Sequence, residues 1–388
     1  MVYTFFSTKN KTERTITMAE EKKECDIYEQ FLEGLEIFYG EIPNRMFFRK
    51  TIKGILTPDD CAVWLLFPTH EQTPVFLEEI KEKNADNIKN IDAIMEKLIR
   101  LYFLDNWDTK DGEKRYVRNY LFQIAITYSK VTGTDDPMRI ACSDWFNCQL
   151  LGCSKNLPYD ISEFRVISNE GALTGIPESG EIPMDMEIPD TREIVPFDYV
   201  TKMIRERRTI CQTPCFCRKI KQNMGSKKCD YPIETCLLFD DLAERTLGYG
   251  GGKKLTADEA IALTKRGSEM GLVHSISNAE KPSVLCQCCS CCCLILGSML
   301  RGETTCGKPS RFSVRIDEKK CIGCEKCNSV CPAKAIEFSD GHLHYNLEKC
   351  FGCGICAVNC KSGALSMQPR KNAKELLPDA EHLDVLYI

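Results

Sequence analysis

The sequence predicts an α+β protein assembled from unlike parts, and three observations predict it. Apolar residues recur at helical spacing through the first third of the chain. A stretch rich in glycine, proline and acids then interrupts that pattern. Cysteine, 25 in 388 residues, gathers in two later stretches, the last of which repeats one spacing twice. The expected order is a helical N-terminal region, a cysteine-rich α/irregular middle and a C-terminal βαβ-βαβ repeat.

Composition narrows the function classes. A hydrophobic share of 43% supports real cores, while a net charge of −5 argues against a nucleic-acid partner, which leaves a basic footprint. The start MVYTFFSTKNK lacks the basic, apolar and small-residue succession of a secretion signal. No apolar run approaches the roughly 18 to 20 residues of a membrane span, and even CCCLILGSML is short and bounded by Arg301. The expectation is a cytoplasmic protein with no membrane span.

Residues 1–24 are polar and charged and read as a leader. Residues 25–160 read as a helical domain. IYEQFLEGLEIFYG repeats apolar residues at i, i+3 and i+4, and TPDDCAVWLLF opens with the start signal Thr57 and Pro58, with Asp59 and Asp60 in the first turn. VFLEEIKEK, a turn at Asn84 to Asn87, IKNIDAIMEKLIRLYFLD and a hairpin with Asp111-Gly112 at its tip follow in winged-helix order. DNA reading is disfavoured because Asn90, Asp92, Glu96, Lys97 and Arg100 mix both charge signs. The segment is expected to dock or pack, and nucleic acid is not an expected partner. Cys142, Cys148 and Cys153 match no standard ligand spacing and read as buried free thiols.

Residues 161–200 are expected to be an extended linker, since the prolines of GIPESGEIPMDMEIPDTREIVP oppose a long helix. Residues 201–310 read as a cluster-binding domain. Cys211, Cys215, Cys217, Cys229 and Cys236 form one knot, and Cys286, Cys288, Cys289, Cys291, Cys292 and Cys293 another. No apolar core needs eleven thiols so placed, and uncoordinated neighbouring thiols are an oxidation hazard. Cys215, Cys217, Cys229 and Cys236 are the expected ligands of one site; the second knot completes it, exchanges with it or holds another.

Basic residues around the first knot, among them Arg205, Arg207, Arg208, Arg218 and Lys219, form a solvated face or offset thiolate charge. The glycines from Gly248 to Gly252 lack the phosphate-loop order. Thr256 with Glu259 predicts a capping box, and Gly271 a helix end. His274 reads as a packing residue rather than a ligand. No Ser-His-Asp grouping, dinucleotide fingerprint or H-E-x-x-H is present.

Residues 311–370 carry C-x-x-C-x-x-C-x-x-x-C twice: Cys321, Cys324, Cys327 and Cys331, then Cys350, Cys353, Cys356 and Cys360. Three thiolates spaced by two residues wrap one corner of an iron–sulfur cubane, and the fourth starts a helix that carries it to the other cluster. The expected sets are therefore crossed: Cys321, Cys324, Cys327 and Cys360 for one 4Fe–4S cluster, and Cys350, Cys353, Cys356 and Cys331 for the second. Gly323, Gly352 and Gly354 permit the tight curl, and Pro332 follows Cys331, where Lys361 follows Cys360. Residues 371–388 form a tail whose apolar end HLDVLYI suggests docking.

This segment resembles the bacterial-type two-cluster ferredoxins. The order CFCR, CDYPIETCLLFDDLAE, GLVHSISN and CQCCSCCC is similar to a module found beside such ferredoxin domains in iron–sulfur proteins of anaerobic bacteria and archaea. The resemblance implies multi-cluster electron carriage, as a subunit or activator of a larger redox enzyme and with that enzyme or an electron carrier as partner. Two 4Fe–4S clusters are implied at the C-terminus, and company favours one or two more in the middle, with zinc the alternative there. The rival readings are a redox-sensing regulator using the winged-helix-like segment, and a reductase whose substrate binds an open central cluster.

Overall fold

In a computed structural model of the chain, the described residues are 26–36, 42, 44–68, 74–84, 88–108, 112–131, 136–149, 164–173, 199–279, 281–302, 307–339 and 342–371. The expected leader, Cys153, the prolines between 174 and 198, Asp111 and the tail beyond Lys371 lie outside them, as does the side chain of Cys148. The chain divides into two compact units, residues 1–37 with 45–120 and residues 38–44 with 121–388. Among the described residues no helix is long and apolar enough to cross a membrane.

The first unit contains α1 (Ile27–Glu36), α2 (Arg45–Ile55), α3 (Pro58–Leu65), α4 (Leu77–Lys83), α5 (Ile91–Arg100) and the hairpin of β1 (Leu104–Asp108) with β2 (Lys114–Arg118). The Thr57 hydroxyl accepts from the Asp60 N–H, and the Asp60 carboxylate accepts from the Thr57 N–H, so the expected start of α3 is a reciprocal cap. The Phe31 ring lies 4.6 Å from that of Trp64, tilted by 55°, and meets Phe103 edge-on at 5.5 Å, while the Trp64 indole N–H donates to the Phe103 carbonyl at 3.0 Å. Lys97 is ion-paired with the buried Asp60, and Lys81 with Asp92, so these charges are committed within the unit.

The second unit is organised by a sheet that the sequence reading did not foresee. The expected α/irregular middle supplies six strands, and the expected linker a seventh, of a sheet in the order β6-β4-β5-β8-β7-β3-β9: β3 (Phe164–Val166), β4 (Ile210–Pro214), β5 (Glu234–Phe239), β6 (Lys253–Lys254), β7 (Val273–Ser277), β8 (Val284–Cys288) and β9 (Gly307–Lys308). All neighbours are antiparallel except β3 with β9. Period-two alternation divides the faces. Ile210, Leu237, Phe239, Ile276 and Leu285 pack beneath α8 (Val200–Arg205) and α11 (Ala257–Glu269). Each such fully buried side chain contributes about 1.5–3 kcal/mol. Cys211, Leu238, Val273, Val284 and Cys288 face the other way, towards α10 (Asp240–Gly248) and α12 (Leu294–Leu300).

Three expected boundaries are corrected by this packing. The helical domain drawn to residue 160 ends at Tyr120, because α6 (Leu121–Val131) and α7 (Pro137–Gln149) pack on α9 (Phe216–Asn223) in the second unit, where Arg139 hydrogen-bonds Asn223. The linker drawn from 161 begins with β3, a buried strand of the sheet, followed by a 3-10 turn at Glu170–Ala172. The boundary drawn at 310 is no structural division: Ala333, Ala335, Phe351 and Ile355 share one apolar core with the sheet.

Capping of α11 is as expected, Thr256 Oγ1 accepting from the Glu259 N–H and Glu259 Oε2 from the Thr256 N–H, with Gly271 following at φ 83°. Gly252 is required by close approach, since a Cβ there would stand 2.4 Å from both Cys211 Sγ and the Gln212 carbonyl. The C-terminal segment runs β10 (Phe312–Ile316), α13 (Lys326–Val330), β11 (Ile336–Ser339), β12 (His342–Tyr345), α14 (Ile355–Val358) and β13 (Leu365–Pro369). Strands β10 with β13 and β11 with β12 are antiparallel pairs.

Candidate metal centres

The two halves of the C-terminal segment have the same local backbone. Left-handed φ values recur at matched positions: Gly323 with Gly352 (66° and 70°), Glu325 with Gly354 (55° and 76°), and Lys334 with Gly363 (47° and 65°). These reversals turn the chain around an enclosed space instead of letting it run on as helix. One cavity is lined by Cys321, Cys324, Cys327 and Cys360, with Phe338, Leu343 and Leu365. The other is lined by Cys350, Cys353, Cys356 and Cys331, with Val314, Ile336, Phe351 and Met367.

The donor set suits iron–sulfur clusters. Each cavity is walled by apolar side chains and carries four sulfurs, and backbone N–H groups already aim at sulfur: Ala335 donates to Cys331 Sγ at 3.3 Å and Gly352 to Cys350 Sγ at 3.4 Å. Burial pushes the Cys353 thiol up to about 12 and that of Cys356 higher still, so neither is a free thiolate at neutral pH. Metal coordination removes such protons outright.

The second cavity is seated against the sheet. The Asn169 N–H donates to the Cys353 carbonyl at 2.9 Å, and the Ser168 hydroxyl donates to the Gly352 carbonyl at 2.7 Å. Gly352 leaves no room for a side chain, because its Cβ would fall 2.0 Å from the Phe312 carbonyl oxygen. The sheet's cysteine-bearing face continues into this wall: Cys286, Cys288 and Cys293 pack in the same apolar core as Cys331, Cys350 and Cys353.

The structure sorts the central cysteines differently from expectation. Cys215 begins α9 and Cys217 lies in it, Cys236 is on β5, Cys286 and Cys288 are on β8, and Cys293 precedes α12. These six interact in series: Cys215 with Cys236, Cys236 with Cys286, Cys286 with Cys288, Cys288 with Cys293, and Cys293 with Cys217. Hydrogen bonds from Cys215 and Cys286, helped by Arg218, hold Cys236 well below the usual thiol range.

Cys229, expected with Cys215, Cys217 and Cys236, stands apart from them. Its sulfur lies 3.9 Å from that of Cys289 and 3.8 Å from that of Cys292, and Cys291 is 3.7 Å from Cys292. The reason is topological: β8 ends at Cys288, so Cys286 and Cys288 stay on the sheet while Cys289, Cys291 and Cys292 turn off it to meet the loop after α9. Cys211 packs in the sheet's apolar core, its thiol donating to the Gln212 carbonyl at 3.5 Å.

Arg218 separates the two sets. It is wholly buried; Nη1 donates to the Gln287 carbonyl at 2.9 Å and lies 3.7 Å from Cys289 Sγ, while Nη2 bonds Thr235 Oγ1. A fully buried guanidinium is costly without negative partners, and the Cys236 sulfur, held low in part by this arginine, is one of them. The sequence showed it only as one of several basic residues; of the others, Arg205, Arg207 and Arg208 are ion-paired with Asp258, Asp240, Asp241 and Glu244. His274 lies on the opposite face, its Nε2 3.3 Å from the Ser268 hydroxyl, and burial lowers it to about 4.

Comparison with known proteins bears on the last segment. Residues 314–367 match the family described as a 4Fe-4S dicluster domain. The chain is 46% identical over 44 residues to an uncharacterized ferredoxin of Methanocaldococcus jannaschii, covering 11% of this chain and 26% of that protein, so it spans about a quarter of that relative's length. It is 35% identical over 75 residues to the pyruvate synthase subunit PorD of Methanothermobacter marburgensis, 19% of this chain and 86% of the subunit. It is 30% identical over 88 residues to the NADH-dependent phenylglyoxylate dehydrogenase subunit delta of Aromatoleum evansii, 23% of this chain and 85% of that subunit. Through its C-terminal segment the chain belongs to the 4Fe–4S dicluster ferredoxins, and that segment is an iron–sulfur electron-transfer module.

Proposed function

We propose that the whole chain is a multi-cluster electron-transfer subunit or activator of a larger redox enzyme, with the dicluster segment as its terminal relay and the six-cysteine chamber as a further cluster site. The observation that carries this reading is the shared apolar core, which holds sulfurs of the chamber and of the second dicluster cavity together. Clusters in these sites would supply one-electron transfer at potentials set by charge, hydrogen bonding and solvent exposure. The protein's part is to hold the sulfurs, exclude water and tune them.

The crossed ligand sets, Cys321, Cys324, Cys327 with Cys360 and Cys350, Cys353, Cys356 with Cys331, are supported by the lining of the two cavities. Cys215, Cys217, Cys236, Cys286, Cys288 and Cys293 offer the chamber its donors, and Arg218 raises the potential there by opposing thiolate charge. Two similar relatives are named as subunits of oxidoreductases, which supports an enzyme partner of that kind. The helical unit with its hairpin is read as the docking part, in winged-helix-like order.

Iron and acid-labile sulfide analysis of anaerobically purified protein tests the reading. Three cubanes require about twelve irons per chain. Eight or fewer would remove the chamber from the relay and leave a plain dicluster protein.

A further inference from the structure

The cluster of Cys229, Cys289, Cys291 and Cys292 differs in kind from every other cysteine set in the structure. Its four sulfurs all lie within 4.8 Å of one another, and among the described residues no other group of three or more His, Cys, Asp or Glu ligand atoms is so close. Three separations are 3.7, 3.8 and 3.9 Å. A tetrahedral ion with bonds of about 2.3 Å to sulfur sets its ligands about 3.8 Å apart. A cubane, with four irons between its thiolates, spreads them to roughly 6 Å.

We propose that these four cysteines are a mononuclear zinc site, structural in role and separate from the iron–sulfur centres. Tetrahedral tetrathiolate ligation points to zinc or iron, and closed four-cysteine sites are the structural form of zinc, which has no redox chemistry and no geometric demand of its own. The proposal does not depend on what the six-cysteine chamber holds.

The surroundings fit a tetrathiolate ion. Four thiolates on a divalent cation leave two negative charges, and the buried Arg218 presents Nη1 to Cys289 Sγ at 3.7 Å. Leu272 and Tyr231 pack over the buried Cys289 and Cys292, while Cys291 is exposed, giving the ion an entry path from solvent. Binding releases the protons of whichever thiols carry them and transfers no electrons.

The consequence is mechanical. Cys229 comes from the loop after α9, 60 residues before Cys289 and 63 before Cys292, so the ion ties that loop to the turn leaving β8. The same two connections flank Cys217, Cys236, Cys288 and Cys293 of the chamber. A redox-inert clamp there fixes the chamber's rim through changes of electron count inside it.

The test uses the full chain purified anaerobically from zinc-replete cells, with zinc and iron counted and X-ray absorption recorded at the zinc edge. One zinc per chain with a shell of four sulfurs at about 2.3 Å is expected. Cys229→Ser should lose that zinc while the dicluster iron stays. Should the variant misfold, cobalt(II) exchanged into the wild-type protein gives a second reading, the absorption of a tetrahedral tetrathiolate. Absence of zinc, zinc retained by a folded Cys229→Ser protein, or a mononuclear iron in its place each overturns the proposal. A count of one zinc with eight irons upholds it and instead removes the cluster proposed for the chamber.

Discussion

The C-terminal segment and the central sheet both gather cysteine sulfurs, and they do so by opposite means. In the first, each cavity draws three cysteines from one seven-residue stretch and the fourth from the other half, and a few left-handed residues set the curl. In the second, donors arrive from a helix start, two paired strands and a second helix start, spread from Cys215 to Cys293. Local loop geometry gathers three of the four donors in each of the former's cavities. The latter exists only once β5 and β8 pair, placing Leu237 opposite Leu285 and bringing Cys236 towards Cys286.

If that contrast is right, damage to each region should remain there. The largest effect is expected from removing most of the chamber's donors: the combined change Cys217→Ala, Cys236→Ala, Cys286→Ala and Cys288→Ala leaves two sulfurs, too few to hold a cubane, and should cost about four irons per chain. The low-potential signals of the dicluster should persist. Unchanged iron would mean that the chamber is ordinary core.

A single ligand sharpens the other side. Cys360→Ala should damage the cluster held by Cys321, Cys324 and Cys327, and Cys331→Ala the one held by Cys350, Cys353 and Cys356, each read by electron paramagnetic resonance during redox titration. Uncrossed behaviour, with each variant injuring the cluster of its own half, would break the assignment.

The junction between the regions is tested by Gly352→Ala. At φ 70° and with a Cβ 2.0 Å from the Phe312 carbonyl oxygen, the substitution should destabilise the second unit by about 4 kcal/mol through backbone strain and overlap together. Gly323→Ala, whose Cβ would meet nothing nearer than 3.5 Å, serves as the control for strain alone in denaturant unfolding.

The smallest effect concerns the opposite face of the sheet. Burial lowers His274 from 6.5 to about 4, so the unfolded chain takes up a proton that the folded one refuses. Its contribution is complete above pH 6.5 and is lost as pH falls towards 4, by up to about 3 kcal/mol. In His274→Gln the fall in unfolding free energy over that window should be shallower; an identical slope would show that the acid sensitivity lies elsewhere.

Legibility followed the same division. The eight C-terminal cysteines, the cap at Thr57 with Asp60 and the helix from Thr256 to Gly271 were readable because their determinants lie within a few residues. The sheet was hidden because VLCQC and ETCLLF are short, and their cysteines read as ligands rather than as one phase of a strand alternation. Counting Val284, Cys286 and Cys288 as one face would have exposed it.

By itself the sequence determined the iron–sulfur chemistry of the last segment, since a cubane's demand for closely spaced thiolates and tight turns is met within two short loops. Only the tertiary structure decided which central cysteines stand together. Cys229 is nearer in sequence to Cys236 than to Cys289, yet strand β5 carries Cys236 onto the sheet while the turn after β8 brings Cys289, Cys291 and Cys292 to the loop holding Cys229. Contacts between residues some sixty positions apart are set by strand pairing and by what each face buries, neither of which a local spacing encodes.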